Sequence, residues 1–477
     1  MAALSVNPMK DIRLVVRSLL GRGGGTAGYM VRGTAGSLLL RVGGVALNAL
    51  AMLVLARWLG AEQYGIYVFA TSLLMLLGPV AGLGLGQVVS RVVAGSRATG
   101  DMGAVSAVTG FVRRVFFLWP ALLAALAALA VGAYDYTAPG WPYAVPLVIA
   151  VAALPFSVFM GGIAAVLRGV RLVLLAQLPE NVVRPLVLLA GGAFLAAVGW
   201  VPAEARVAVM LHVGATVVAL LCAAAAYGWA RPRFTGSTRS EEAVAGRGES
   251  PRDWLRAGGY LLVGQLLFNG NAQADIVMLG MLAAPEDVGI YHVAARLAGL
   301  VSLLIGAATL PLGPRVAELW RLGETARLQH EVTRITRALF IGALAAFAVL
   351  ALLGKPGLRL FGGEYDAGYL PLVVLALAHL LNVAAGPVKL LLVMTRHERD
   401  TMIGLACGTA ANIALNAALI PPLGMLGAAL ATLAGWVIWN GILYVTVSRK
   451  INVHCSFFGE TFCRRTGVLS RKSSGVA

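Results

Sequence analysis

Twelve apolar stretches, each about 20 residues long, are strung along this chain of 477 residues, and Lys and Arg are held almost wholly to every second connection between them. A helix needs roughly 20 apolar residues to cross the hydrocarbon core of a bilayer. A mean hydropathy of +0.82 and a charged fraction of 12% leave little chain for a soluble domain. The pattern predicts an all-α polytopic membrane protein with twelve transmembrane helices, over 36–56, 66–90, 115–134, 143–167, 185–202, 207–230, 257–282, 289–312, 338–354, 368–394, 400–420 and 424–447.

An even number of spans puts both termini on one side. Of 38 Lys and Arg, only Arg57, Arg206, Lys355 and Arg359 fall on the opposite side and Arg41, Arg296 and Lys389 fall within spans, so 31 share the side of the termini. Because Lys and Arg in short loops set orientation, both termini are expected in the cytoplasm, with the chain a multi-pass protein of a bacterial inner membrane. The net charge of +17 is then spread over short cytoplasmic segments rather than gathered on one face, and nucleic acid is not expected as a partner.

No secretory signal is read at the N-terminus, where Arg17 interrupts the short run 14–20. Residues 11–22 instead alternate apolar and basic positions, and within the N-terminal segment 1–35 they read either as a helix lying on the anionic leaflet or as a basic tail. Cys222 and Cys407 fall in spans, and Cys455 and Cys463 in a basic cytoplasmic tail over 449–477. Disulfides are not expected, and the tail cysteines read as free thiols with no zinc spacing.

Sliding the chain by 224 residues superposes Glu62, Gly65, Ile66, Tyr67, Ala70, Leu73 and Arg91 on Glu286, Gly289, Ile290, Tyr291, Ala294, Leu297 and Arg315 without a gap. Each half is therefore a six-span unit, 36–230 and 257–448, joined by a polar linker over 231–256. Six is even, so the repeats run parallel, an arrangement that places a substrate path between them near the midplane.

Ionisable groups inside spans mark such paths, because a charge at that depth costs several kcal/mol without a partner or a wet cavity. Arg41 lies six residues into the first span and Arg296 seven into the eighth. Lys389 sits near the end of the tenth, where snorkelling to the headgroups is an equal alternative. Gln265, Asn269 and Asn271 form a polar stripe beside Asp275, the one acid placed deep in a span. Asp275 is a candidate for proton or sodium coupling, its alternative being a fixed Asp–Arg pair. His212, Asn382, Asn412 and Asn416 read as interhelical hydrogen-bond glue.

Residues 21–28 are glycine-rich but lack the Gly-Lys-Ser/Thr ending of a phosphate loop, and neither a Gly-x-Ser-x-Gly elbow nor a His-Glu-x-x-His is present. The external loops are short. These absences argue against a membrane-embedded glycan polymerase or ligase, leaving transport, with no enzyme activity and no cofactor expected.

Three pieces of text carry a family resemblance: GTAGS at 33–37 with ARWLGAEQYGIY at 56–67; ADIVMLG at 274–280 with PEDVGIY at 285–291 and AARL at 294–297; and LFGGEY at 360–365 with AGP at 385–387 and MTRHERD at 394–400. They resemble Wzx-type oligosaccharide flippases, over about residues 30–448. The resemblance implies the multidrug/oligosaccharidyl-lipid/polysaccharide exporter superfamily, with two six-helix bundles in a V, like the MATE transporters. It implies a flippase carrying undecaprenyl-pyrophosphate-linked oligosaccharide to the periplasmic leaflet for O-antigen, capsule or exopolysaccharide, with a glycan polymerase and other assembly proteins as partners. A pyrophosphate needs buried cations, which makes Arg41, Arg296 and Lys389 headgroup candidates and Gln265, Asn269 and Asn271 glycan-binding candidates. A multidrug or small-solute antiporter of the same fold is the first rival, though a cationic cargo would favour acids in the cavity. A non-transporting scaffold is the other.

Overall fold

The computed structural model describes residues 26–99, 102–232 and 251–457, and among these all regular structure is helical. The expected N-terminal helix over 11–22, most of the linker, and Cys463 lie outside the described residues. In chain order the helices are α1 (Thr26–Ala81), α2 (Leu85–Thr99), α3 (Met102–Thr137), α4 (Ala144–Val151), α5 (Leu154–Gly169), α6 (Val173–Leu178), a π-turn (Pro179–Val183), α7 (Arg184–Val198) and α8 (Ala205–Ala230). There follow α9 (Pro251–Leu282), α10 (Pro285–Ala298), α11 (Leu303–Arg321), α12 (Thr325–Arg359), α13 (Tyr369–Ala385), α14 (Val388–Met394) and α15 (Glu398–Lys450).

A bilayer demands that each backbone polar group be satisfied within the chain, which is why apolar runs of this length become helices. Among the described residues, eight helical stretches are long and apolar enough to cross a membrane. Two of them hold a break: α1 turns at Gly60 (φ 73°) and α15 at Gly424 (φ 54°), each in a conformation that a side chain disfavours. Each break separates two of the expected spans. The expected seventh and eighth spans are not among the eight stretches. Of these, α9 carries Gln265, Asn269, Asn271, Gln273 and Asp275, and the other is divided between α10 and α11 by a 3₁₀ turn, Gly299–Ser302. Outward-facing Leu118, Leu129, Phe194 and Leu352 are more than 60% exposed, the surface that lipid covers.

The chain forms two compact units. Of the described residues, one contains those up to Leu55 and those within Leu77–Pro202 and Arg206–Leu262; the other contains Ala56–Leu76, Ala203–Ala205 and those from Val263 onward. Both α1 and α9 thus contribute to each unit.

The first unit has a small apolar cluster of Ala51 on α1, Leu188 on α7 and Ala215 on α8. In the second unit, Leu312, Val316, Leu328, Val332, Leu391 and Leu443 pack with Ile451, Val453 and Cys455. The first residues of the expected tail are therefore not loose. Gln329 grips the His454 backbone from both sides, its Nε2 donating to the carbonyl at 2.7 Å and its Oε1 accepting from the amide at 2.6 Å. Phe457 donates its amide to Ala384 O at 3.1 Å. Cys455 is buried, which pushes its thiol up to about 12.

Repeat-related glycines meet in this second unit. A Cβ on Gly65 would lie 1.8 Å from Pro285 O, and one on Gly289 would lie 2.2 Å from Ala61 O. Positions 65 and 289, and likewise 61 and 285, are related by the 224-residue shift, so the second segment of α1 and α10 cross about a local twofold axis with their backbones in contact. Only glycine permits so close an approach.

Candidate translocation and ion site

In the second unit the Asp275 carboxylate is buried within α9 and gathers four hydrogen-bond donors from two helices, α10 and α15. Asn412 Nδ2 donates at 3.0 Å and Asn416 Nδ2 at 2.8 Å to Oδ1; Tyr291 OH donates at 2.9 Å and the Thr432 hydroxyl more closely to Oδ2. All four donors are themselves buried. Spacing explains the convergence: Asn412 and Asn416 are one turn apart on α15, and Thr432 returns beyond the Gly424 break. Among the described residues no cationic side chain joins them, so the expected alternative of a fixed Asp–Arg pair is not what is built.

Asn412 and Asn416 are therefore more than generic glue. That role falls to Asn382, whose Oδ1 accepts from Asn440 Nδ2 at 3.0 Å. The Asn416 Oδ1 is buried without a partner. A carboxylate, an orphan amide oxygen and a hydroxyl form an oxygen-rich set that suits a proton or a hard monovalent cation.

The repeat shows that the fold does not require this cluster. Shifted by 224 residues, Asp275 falls on Ala51 and Asn412 on Leu188, which in the first unit pack together in the apolar cluster described above. The same scaffold position is apolar in one half and polar in the other.

Arg296 lies on α10 and is exposed, with Nε donating to His292 Nε2 at 3.2 Å. The other ring nitrogen of His292 lies 3.0 Å from Tyr64 OH, on the second segment of α1 beside the Gly65 crossing. His292, unnoticed in the sequence, thus couples Arg296 to that crossing; its position one turn before Arg296 was the available signal. Lys389 is also exposed, its ammonium 5.2 Å above the Phe268 ring. On α9, Asn269 Nδ2 reaches Met75 O at 3.5 Å and the adjacent Gln273 reaches Met75 Sδ at 3.6 Å. Gln265 is half-buried four residues before Asn269, and Asn271 is half-buried one turn before Asp275 on its face. Arg41 is exposed on α1 in the first unit.

The second unit also holds a cavity of about 500 Å³, lined chiefly by apolar groups with Asn382 and Asn440 among them. It carries none of the cations above.

The polysaccharide biosynthesis protein family matches residues 30–320, more than half of the sequence. The chain belongs to this family. A further relative, the probable flippase AglR of Haloferax volcanii, is 34% identical over 171 residues, 33% of this chain and 34% of that protein, so the chain spans about a third of the length of that relative. Among solved structures, an inward-facing multidrug resistance transporter of the MATE family in the MOP superfamily gives a TM-score of 0.65 at 15% identity, covering 86% of this chain and 94% of the other. The lipid II flippase MurJ, in an inward closed conformation, gives 0.63 at 11% identity, covering 87% of both. At those identities the likeness is one of fold. The resemblance drawn from the sequence and the MATE-like all-α class are both borne out.

Proposed function

We propose that this family member is a flippase that carries undecaprenyl-pyrophosphate-linked oligosaccharide from the cytoplasmic to the periplasmic leaflet of a bacterial inner membrane. It works by alternating access and with both termini in the cytoplasm. Its product feeds O-antigen, capsule or exopolysaccharide assembly, where a glycan polymerase and other assembly proteins are its partners. One observation carries the reading. The cations within expected spans, Arg41, Arg296 and Lys389, have no carboxylate partner among the described residues, and the contacts of Arg296 and Lys389 are a neutral imidazole and a ring.

An uncompensated cation in a membrane is held for an anion. A lipid-linked pyrophosphate is such an anion, and the amides of Gln265, Asn269 and Asn271 suit glycan hydroxyls. The Asp275 cluster is where a coupling ion, H⁺ or Na⁺, binds; neutralising the carboxylate removes the reason for four donors to point at it and loosens α9 from α15. The rival antiporter of cationic drugs is disfavoured because the exposed charges within the expected spans, Arg41, Arg296 and Lys389, are cations.

The test is leaflet transfer of labelled cargo in proteoliposomes by an Arg41→Ala, Arg296→Ala double variant. Transfer is expected to fall at least a hundredfold, since a charged hydrogen bond contributes about 1.5–3 kcal/mol. Transfer at the wild-type rate would defeat the proposal.

A further inference from the structure

The hydropathy pattern expects the fifth span to start at 185 and leaves Arg184 in a cytoplasmic loop. In the structure a single apolar helical stretch runs Val173–Val198, so Arg184 lies eleven residues inside it. A guanidinium at that depth is held there for a reason.

The stretch contains a π-turn, Pro179–Val183, closed by the Arg184 amide donating to Pro179 O. Such turns insert one residue into a helix and re-aim the side chains beyond them, and they concentrate at functional sites. Pro179 and Pro185 bracket the turn and lack the amides that would restore the regular ladder.

Contacts along the stretch show which of its faces meets which neighbour. Ser37 Oγ donates to Gln177 Oε1 at 2.8 Å; a Cβ on Gly44 would lie 2.6 Å from Asn181 O; Leu188 packs with Ala51; and Gly192 lies against Leu55. Positions 177, 181, 188 and 192 thus face α1, while Leu186 and Phe194 face outward. Gly191 lies seven residues beyond Arg184 on the same helical face, and a Cβ there would lie 2.5 Å from Leu211 of α8; His212 of α8 is within electrostatic reach of the guanidinium, so Arg184 sits at the edge of this row where α7 meets α8.

Arg184 has nothing to neutralise it there. Its Nε is buried without an acceptor, and among the described residues no carboxylate pairs with it. Other arginines are served: Arg97 by Val170 O, Arg315 by Glu331, Arg359 by Asp366. The neighbouring Glu180 acts on Arg168, and the titratable group next in reach, His212, is an imidazole rather than an acid.

We propose that Arg184 is an anion-binding residue that holds the diphosphate of the lipid-linked cargo on the face of α7 next to α8 in the first unit. This rests on the flippase reading and adds a residue and a place to it. A diphosphate offers paired oxygens to the guanidinium fork, and the π-turn sets the direction in which Arg184 leaves the helix.

The test is binding of geranylgeranyl pyrophosphate to the full-length protein in detergent, measured by native mass spectrometry, with geranylgeraniol as the uncharged control. Variants are Arg184→Gln, Arg184→Lys and Arg41→Gln, with unliganded thermal unfolding as the check on folding. Wild type is expected to bind the pyrophosphate and not the alcohol. Affinity should fall at least tenfold in Arg184→Gln and by less in Arg184→Lys, which keeps charge and loses the fork. If Arg184→Gln does not fold, an Arg184→Lys affinity equal to wild type overturns the proposal. Undiminished binding by folded Arg184→Gln, with Arg41→Gln weakened, overturns the role of Arg184 and leaves the flippase reading standing. A wild type that binds alcohol and pyrophosphate alike overturns both.

Discussion

Replacing Gly65 by Ala tests whether the crossing of α1 and α10 is a real mechanical element. The added Cβ would sit 1.8 Å from Pro285 O, 2.8 Å from Pro285 C and 2.9 Å from Gly289 N, and contacts below 3.0 Å are not tolerated. The obstructing atoms are all helix backbone, so no side-chain rotation relieves them. The two segments must separate by about 1.2 Å, the difference between 3.0 and 1.8 Å. Overpacking of this kind costs about 1–3 kcal/mol, and 2 kcal/mol is about a thirtyfold change in the population of the packed arrangement. The assay uses a cysteine-free protein carrying Val68→Cys, a buried position one turn from the crossing, and measures its rate of labelling by a soluble maleimide. Gly65→Ala is expected to raise that rate by about ten- to thirtyfold. Gly161→Ala, whose Cβ would meet nothing within 4 Å, should leave it unchanged. Equal rates in all three proteins would refute the reasoning.

Other expectations rest on the same geometry. Asp275→Ala leaves four buried donors without their acceptor and should cost about 3 kcal/mol or more, seen as a lowered unfolding temperature in detergent; Asp275→Asn should unfold nearer wild type yet lose any dependence of transport on an ion gradient. His292→Phe breaks the link from Arg296 to Tyr64 and should lower transport about tenfold, a loss of about 1.4 kcal/mol, without altering expression. Cys455 should resist maleimide at pH 7–8 in wild type and become reactive in Gln329→Ala, which frees the His454 backbone. Because burial raises that thiol in the folded state, its stabilising effect is present below about pH 9, the range of a free thiol, and is lost as pH rises towards about 12. Alkaline titration should therefore release the 451–457 segment over that interval, as read by Cys455 labelling.

Much of the fold was legible because the bilayer makes hydropathy decisive: most apolar runs became helices, and the repeat that pairs Gly65 with Gly289 was visible as text. That the paired glycines touch was not, since sequence similarity says nothing of contact. Asp275 stands out as a buried acid, but three of its four partners lie 137 to 157 residues away, and Asn412, Asn416 and Thr432 look in sequence like ordinary polar residues of a membrane helix. The expected Arg–Asp pair failed for the same reason: composition supplies a cation but not a direction. Arg184 falls just outside the expected fifth span, 185–202, because hydropathy does not show that a π-turn carries the helix through Pro179 and Pro185. Cys455 was read as part of a free tail because the basic text after it masks the short apolar run that folds back under Gln329.

The central claim is that the protein moves an anionic lipid-linked glycan. Its most direct test is reconstitution of wild type in proteoliposomes with fluorescent undecaprenyl-pyrophosphate oligosaccharide in one leaflet and a cationic dye in the lumen. Protein-dependent arrival of the glycan in the opposite leaflet, with no dye export, is the predicted result; dye export by protein that leaves the glycan where it was would contradict it.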